Sequence, residues 1–223
     1  MTKALFAEAM AKFSAGVVLV GLLLFLPAGT LHYPPGWRLM AILFIPMFAA
    51  GLVMMAKNPD LLKKRLQAKE KQSEQSMVVK LSGLMFIAGF VAAGLDFRFR
   101  WTLLPDWVSY TAVAAFLLAY LLYAEVLREN TYLSRTIEVQ EGQKVIDTGL
   151  YGIVRHPMYS ATLLLFFSIP LVLGSGIAFV CFLAYPAIIA KRIRNEEQVL
   201  TEGLPGYADY CRRVRWRLLP LVW

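Results

Sequence analysis

The chain has 223 residues, 58% of them hydrophobic and 17% charged, with a formal net charge of +8. Soluble domains run at about 45–50% apolar and about 25% charged, so a globule of this length in water could not hide its apolar surface, and the same figures exclude disordered and fibrous chains. Two cysteines, Cys181 and Cys211, offer neither metal-ligand spacing nor a disulfide framework.

Stretches free of Asp, Glu, Lys and Arg cover residues 13–37, 39–56, 81–95, 107–124 and 156–190. A helix needs about 20 apolar residues, at about 1.5 Å each, to cross about 30 Å of hydrocarbon. The first four stretches therefore predict single crossings. Lys3 and Lys12 before the first, with Pro27-Ala28-Gly29 behind it, give it some likeness to a cleaved secretion signal. Its length and its poorly placed small residues favour a retained helix. In the linker 57–80, Asn58-Pro59-Asp60 predicts a helix start, and Leu62 and Leu66 among Lys and Arg predict an amphipathic helix on anionic headgroups. His32 lies among Tyr33, Pro34, Pro35 and Trp37, and Trp101 and Trp107 flank a second short loop; these read as turns and an aromatic belt.

The fifth stretch would be roughly 50 Å long as one helix. Gly174-Ser175-Gly176 is a turn signal inside it, so a hairpin of two short helices is expected, kinked near Pro170 and Pro186. The expected fold is an all-α polytopic membrane protein of about six transmembrane helices, with five crossings plus a re-entrant hairpin as the alternative. Residues 1–127 would form helices 1–4, and 128–223 the functional part. Of the 23 basic side chains only Arg38, Arg98 and Arg100 fall on one side. The other twenty mark the cytosolic face. Both termini are then expected inside, together with the polar segments 128–158 and 191–223, which the hairpin brings to one membrane face.

The chain has no GxxxxGK[ST], HExxH, GxSxG or strand-linked GxGxxG motif, and two histidines are too few for a metal cluster. Its densest polar run is DTGLYGIVRHPMY, Asp147 to Tyr159, where Pro157 is placed to open a helix whose free N–H groups suit an acceptor group. Each member also has a plain reading: Arg155 as a positive-inside anchor, Tyr159 as a belt residue, Pro157 as a simple helix start. In KRIRNEEQVL, Arg192 and Glu196 are four apart and share a helix face. The basic, aromatic tail with Tyr207, Tyr210, Trp216, Arg212, Arg213, Arg215 and Arg217 suits lipid headgroups better than nucleic acid.

VQ at 139–140, TGLYGIVRHPMY at 148–159, PLVLGS at 170–175, RNEEQVL at 194–200 and LPGYADYCRRVRWRLLP at 204–220 resemble the isoprenylcysteine carboxyl methyltransferase family, whose wider relatives include phospholipid N-methyltransferases. The resemblance covers about the last 85 residues; before residue 128 it is one of hydropathy alone. It implies a membrane enzyme that uses S-adenosylmethionine without a dinucleotide-binding domain. Carried over position by position, it implies cofactor contacts at Gln140, Gln143, Lys144, Val145, Ile146, Tyr151, His156, Pro157, Met158, Tyr159 and Glu196. Arg192 matches the position that steers an acceptor carboxylate, and Glu197 is a neighbouring candidate. Ser160-Ala161 departs from the family, whose members usually carry Gly shortly after the Tyr. The implied partners are a lipophilic or lipidated acceptor and membrane lipids, with no metal and no nucleic acid. Membrane sterol reductases, which bind NADPH, share an RHPxY-like run and a YC…RLLP-like ending but typically carry Gly-Asp where this chain has Ser160-Ala161. A non-catalytic lipid sensor is the third reading.

Overall fold

The computed structural model describes residues 3–66, 73–133, 137 and 139–223, without the side chains of 3, 61, 64, 65 and 73–75. Lys69, Lys71 and Arg135, counted above among the basic residues, lie outside that set. The described residues form helices α1 (Lys3–Ala28), α2 (Pro34–Lys57), α3 (Pro59–Leu66), α4 (Ser73–Phe99), α5 (Asp106–Glu129), α6 (Pro157–Val172), α7 (Gly176–Phe182), α8 (Tyr185–Gly203) and α9 (Tyr207–Arg213). Among the described residues five segments are long and apolar enough to cross a membrane: Ala4–Ala28, Pro34–Lys57, Ser76–Phe99, Asp106–Glu129 and Gly176–Gly203, the last being α7 and α8 together. The fold is all-helical over the described residues.

Proline and glycine set the ends. Gly29, at φ 69°, closes α1 in the left-handed region, and Pro34 occupies the first turn of α2, where a missing N–H costs nothing. The expected helix start at Asn58-Pro59-Asp60 is α3, whose Leu62 is buried. The fifth stretch folds as a hairpin. α6 ends at Val172, Gly174 turns at φ 71°, and the Ser175 side chain caps α7 by accepting from the Ala178 N–H at 3.1 Å. α7 breaks at Leu183-Ala184, and Pro186 then sits in the first turn of α8.

α1 lies directly on α4. A Cβ at Gly94 would fall 2.6 Å from the Leu24 carbonyl oxygen and 2.9 Å from Pro27 Cβ. Backbone cannot yield as a side chain does. Gly94→Ala is therefore expected to force the two helices apart and to destabilise the protein by about 1–3 kcal/mol, seen as an earlier thermal midpoint in detergent; an unchanged midpoint would rule out this close approach.

The hairpin tip is fastened at the end of the bundle opposite the polar segments. Asp96, fully buried at the end of α4, accepts from the Thr102 N–H at 2.7 Å, from Thr102 Oγ1 at 2.6 Å and from the Ser175 hydroxyl. The Leu104 N–H donates to Gly174 O at 3.0 Å, and Ser109 Oγ, itself accepting from Arg38, donates to Val172 O at 2.6 Å. Arg98 lies against Gly29 at the same end. The tip thus reaches the end of the bundle where Arg38 lies near the start of α2, Arg98 near the end of α4 and Arg100 just after it. Between the two ends, one apolar core joins α1, α2, α4, α5 and the hairpin, with Phe116, Phe182, Ile169, Leu24 and Leu39 fully enclosed.

Candidate functional site

At the other end, three segments converge. The loop after α5 is tied down first. Gly149, at φ 52°, is a position where a Cβ would lie 2.4 Å from both carboxylate oxygens of Glu129, and the neighbouring Thr148 Oγ1 donates to Glu129 Oε1 at 2.8 Å. Only glycine tolerates both the backbone angle and the crowding. Tyr151 follows in a single 3₁₀ turn, its hydroxyl accepting from Asn130 Nδ2 at 2.9 Å and its carbonyl from the Tyr210 hydroxyl at 2.8 Å.

The tail runs beside the start of α6. The Arg155 N–H donates to Trp216 O at 2.8 Å, the His156 N–H to Arg217 O at 2.9 Å, and Ser160 Oγ to Leu218 O at 2.6 Å. Ser160, one of the two departures from the family pattern, therefore pins the tail to α6. Tyr207, Tyr210 and Val214 form a small second core with Leu204, packed on Val139, Val145 and Leu200.

These segments enclose a cleft with about 840 Å³ of space between its walls, the mouth included. Gln143, Lys144, Val145, Ile146, Tyr151, His156, Met158, Tyr159, Arg192 and Glu196 all line it. Three residues named from the sequence, Gln140, Pro157 and Glu197, do not. Gln140 turns its side chain to the Tyr132 carbonyl, while its N–H donates to Gln143 Oε1 at 2.8 Å; it shapes the loop behind the wall. Pro157 is buried in the first turn of α6, and its contribution is the break that begins that helix.

Two ionic groupings organise the cleft. In the first, the Tyr159 hydroxyl donates to Glu196 Oε2 and accepts from Arg192 Nε at 2.9 Å. Arg192 and Glu196 share a face of α8 as their spacing predicts, but a tyrosine from α6 stands between them. In the second, Glu197 faces three cationic or protonatable groups. Arg155 Nε is 2.9 Å away, His156 Nε2 3.2 Å and Arg217 Nε 2.8 Å. The side chains of Arg155, His156 and Glu197 are only 9%, 4% and 12% exposed. Such a grouping holds only while its charges balance.

Arg217 also lies over the Trp223 ring, 5.2 Å from its centroid, and Arg213 pairs with Asp147 at 2.8 Å. These two basic residues of the tail have protein partners, where the sequence suggested headgroups. The cleft further gains Asn130, Tyr132, Leu133, Ile137, Leu200, Leu204, Tyr207 and Tyr210, none of which the sequence reading placed in a site, and Arg155, which it singled out in the polar run without giving it a contact. Tyr207 and Tyr210 share a face of α9 at a spacing of three, a signal that was present but read as surface. Asn130, Tyr132 and Leu133 carry none. Burial pushes both the Tyr207 and Tyr210 phenols well above their ordinary value, so both keep their protons at physiological pH. Among the described residues no His, Cys, Asp and Glu side chains group as a metal site.

Comparison with known proteins adds two findings. The chain is similar to the mouse Delta(14)-sterol reductase TM7SF2, with 32% identity over 91 residues, which is 40% of this chain and 22% of that protein. The match thus spans about a fifth of that relative's length. Residues 110–202 match the family model for isoprenylcysteine carboxyl methyltransferases, a stretch that takes in most of α5, the loop, the hairpin and both ionic groupings apart from Arg217. Over those residues the chain is similar to the isoprenylcysteine carboxyl methyltransferase family.

Proposed function

We propose that the protein is an integral membrane methyltransferase that uses S-adenosylmethionine to methylate a lipophilic acceptor, with carboxyl O-methylation of the isoprenylcysteine type the favoured reaction. The observation that carries this reading is the Tyr159 hydroxyl held between Arg192 and Glu196 in the cleft. It sets a cation suited to an acceptor carboxylate one hydroxyl away from an anion suited to an ammonium.

The donor set fits the cofactor. Glu196 offers a carboxylate to the ammonium of its amino-acid end. Tyr151, Tyr159, Tyr207 and Tyr210 give the cleft aromatic walls, against which adenine packs and over which a cation gains about 0.5–2 kcal/mol. When bound, the cofactor supplies an electrophilic methyl group on a sulfonium. An acceptor that is already a carboxylate needs no base, so the work of this chain is alignment and exclusion of water. Proximity of that kind is worth about 7–11 kcal/mol. Arg192 orients the acceptor because its planar fork can grip both carboxylate oxygens, and its Nε is itself steadied by Tyr159.

A lipophilic acceptor is supported by an apolar groove along the α5–α6 seam, lined by Val108, Ala115, Leu163, Leu164, Phe167 and Leu219 and ending at Ser160, next in sequence to Tyr159. The charge bias supports six crossings with the termini and the cleft on the cytosolic side, where the cofactor is available.

Calorimetry in detergent tests the reading. S-adenosylmethionine is expected to bind, and Glu196→Gln, which keeps an acceptor oxygen but loses the charge, to weaken it about tenfold or more. Equal affinity in the two proteins would remove Glu196 from the site. The likeness to a sterol reductase favours a second reading, an NADPH-dependent enzyme. Thermal shift separates them: S-adenosylhomocysteine stabilises a methyltransferase, NADPH a reductase, and neither a lipid sensor. Incubating membranes with radiolabelled cofactor and extracting the lipid fraction would then identify the acceptor.

A further inference from the structure

One wall of the cleft contains a polar group that no described residue satisfies. Tyr207 is 4% exposed, and its buried hydroxyl has no hydrogen-bond partner among the described residues. Other buried tyrosine hydroxyls nearby are used: Tyr210 donates to Tyr151 O at 2.8 Å, Tyr159 to Glu196, and Tyr185 pairs with Thr162 Oγ1 at 2.7 Å. Leaving a buried hydroxyl without a partner is costly, because its desolvation is not repaid. A phenylalanine would fill the same space without that cost. The hydroxyl therefore has a use that the protein alone does not display.

Its position says which end of a ligand it meets. Tyr207 opens α9 immediately after Gly206, whose left-handed backbone (φ 84°) turns the chain back over the cleft. Tyr207 lines the same cleft as Arg155, Arg192 and Glu196 and is not among the residues along the apolar seam. It thus faces the ionic floor of the cleft, where both signs of charge are present, and not the apolar seam. A ligand group suited to that floor is zwitterionic. Glu197 is already matched by Arg155, His156 and Arg217, which leaves Glu196 as the carboxylate open to a ligand ammonium.

We propose that Tyr207 is a ligand-contacting residue whose hydroxyl hydrogen-bonds the amino-acid end of the methyl donor, beside Glu196. This rests on the reading of the cleft as a methyl-donor site. The contact completes the polar lining, and α9 with the tail becomes part of the binding surface.

The test compares the wild type with Tyr207→Phe, using S-adenosylhomocysteine and 5′-methylthioadenosine, which has the nucleoside and the thioether but no amino-acid end. The expected result has three parts. Tyr207→Phe binds S-adenosylhomocysteine about tenfold more weakly; it binds 5′-methylthioadenosine as well as the wild type does; and without ligand it unfolds at the same temperature as the wild type or higher, because the unsatisfied group is gone. Equal weakening toward both ligands would move the contact to the nucleoside and overturn the proposal. So would a lowered midpoint without ligand together with undiminished affinity, which would give the hydroxyl a structural role. Failure of the wild type to bind either compound would instead defeat the methyl-donor reading itself, and this proposal with it.

Discussion

Glu197→Ala is expected to destabilise the protein by about 3–5 kcal/mol and to abolish ligand binding. Removing one member of a buried ionic grouping leaves the others charged and unpaired, which is the costly direction of change. Here the loss would strand the Arg155 guanidinium, deprive His156 Nε2 of its partner and release Arg217. Arg217 belongs to the tail segment that is hydrogen-bonded along the head of α6, so the damage would spread to the wall formed by α9. Glu197→Gln keeps an acceptor but not the charge and should fall between wild type and alanine. Denaturant or thermal unfolding in detergent measures the first effect, and calorimetry the second. A midpoint within about 0.5 kcal/mol of wild type, the range of an ordinary surface change, would show that the three partners find other company.

Arg192→Lys should separate acceptor handling from cofactor binding. The substitution keeps the positive charge but loses the planar fork and the Nε that donates to the Tyr159 hydroxyl at 2.9 Å. Misplacing a reacting group by about 1 Å can cost about 100-fold. The expected outcome is a fall of about 100-fold in kcat/KM for a carboxylate acceptor, while the affinity for S-adenosylhomocysteine changes less than about threefold. A loss of cofactor affinity equal to the loss of rate would instead assign Arg192 to the donor.

Much of the architecture can be read from charge and hydropathy because lipid enforces it. The two termini of α5 lie near the ends of the uncharged stretch 107–124, and the hairpin turns at Gly174-Ser175-Gly176. The boundary between α1 and α2 is different. The uncharged stretch 13–37 runs straight through the turn at 29–33, which has no charged side chain, so only Gly29 and the pair Pro34-Pro35 mark it. The clamp that Asp96 makes on Thr102 and Ser175 was also hidden, since a lone acid near the end of an apolar stretch reads as the place where water begins.

The site was legible as a set of side chains and not as a set of pairs. Ten of the residues marked from the sequence come together in one cleft, because a hairpin necessarily returns its two flanks to the same face. Their partnerships join positions far apart: Glu197 to Arg155 and Arg217, Tyr159 to Glu196, Tyr151 to Tyr210. No local spacing encodes such pairs. The sequence alone made Glu196 the carboxylate of interest and Glu197 its neighbour; side by side on α8, the two point into different polar groupings with different tasks. Gln140 and Pro157 show the converse, motif residues whose structural work is to shape the frame around the cleft.

Every described residue that lines the cleft falls between Asn130 and Tyr210. The described residues among the first hundred supply bulk, length and a shared apolar core, but no wall of the cleft. Selection on chemistry therefore bears on one contiguous block, while the leading helices answer only to bilayer thickness and packing shape. The leading helices and the cleft are thus joined through the shared apolar core and not through a common wall of the cleft.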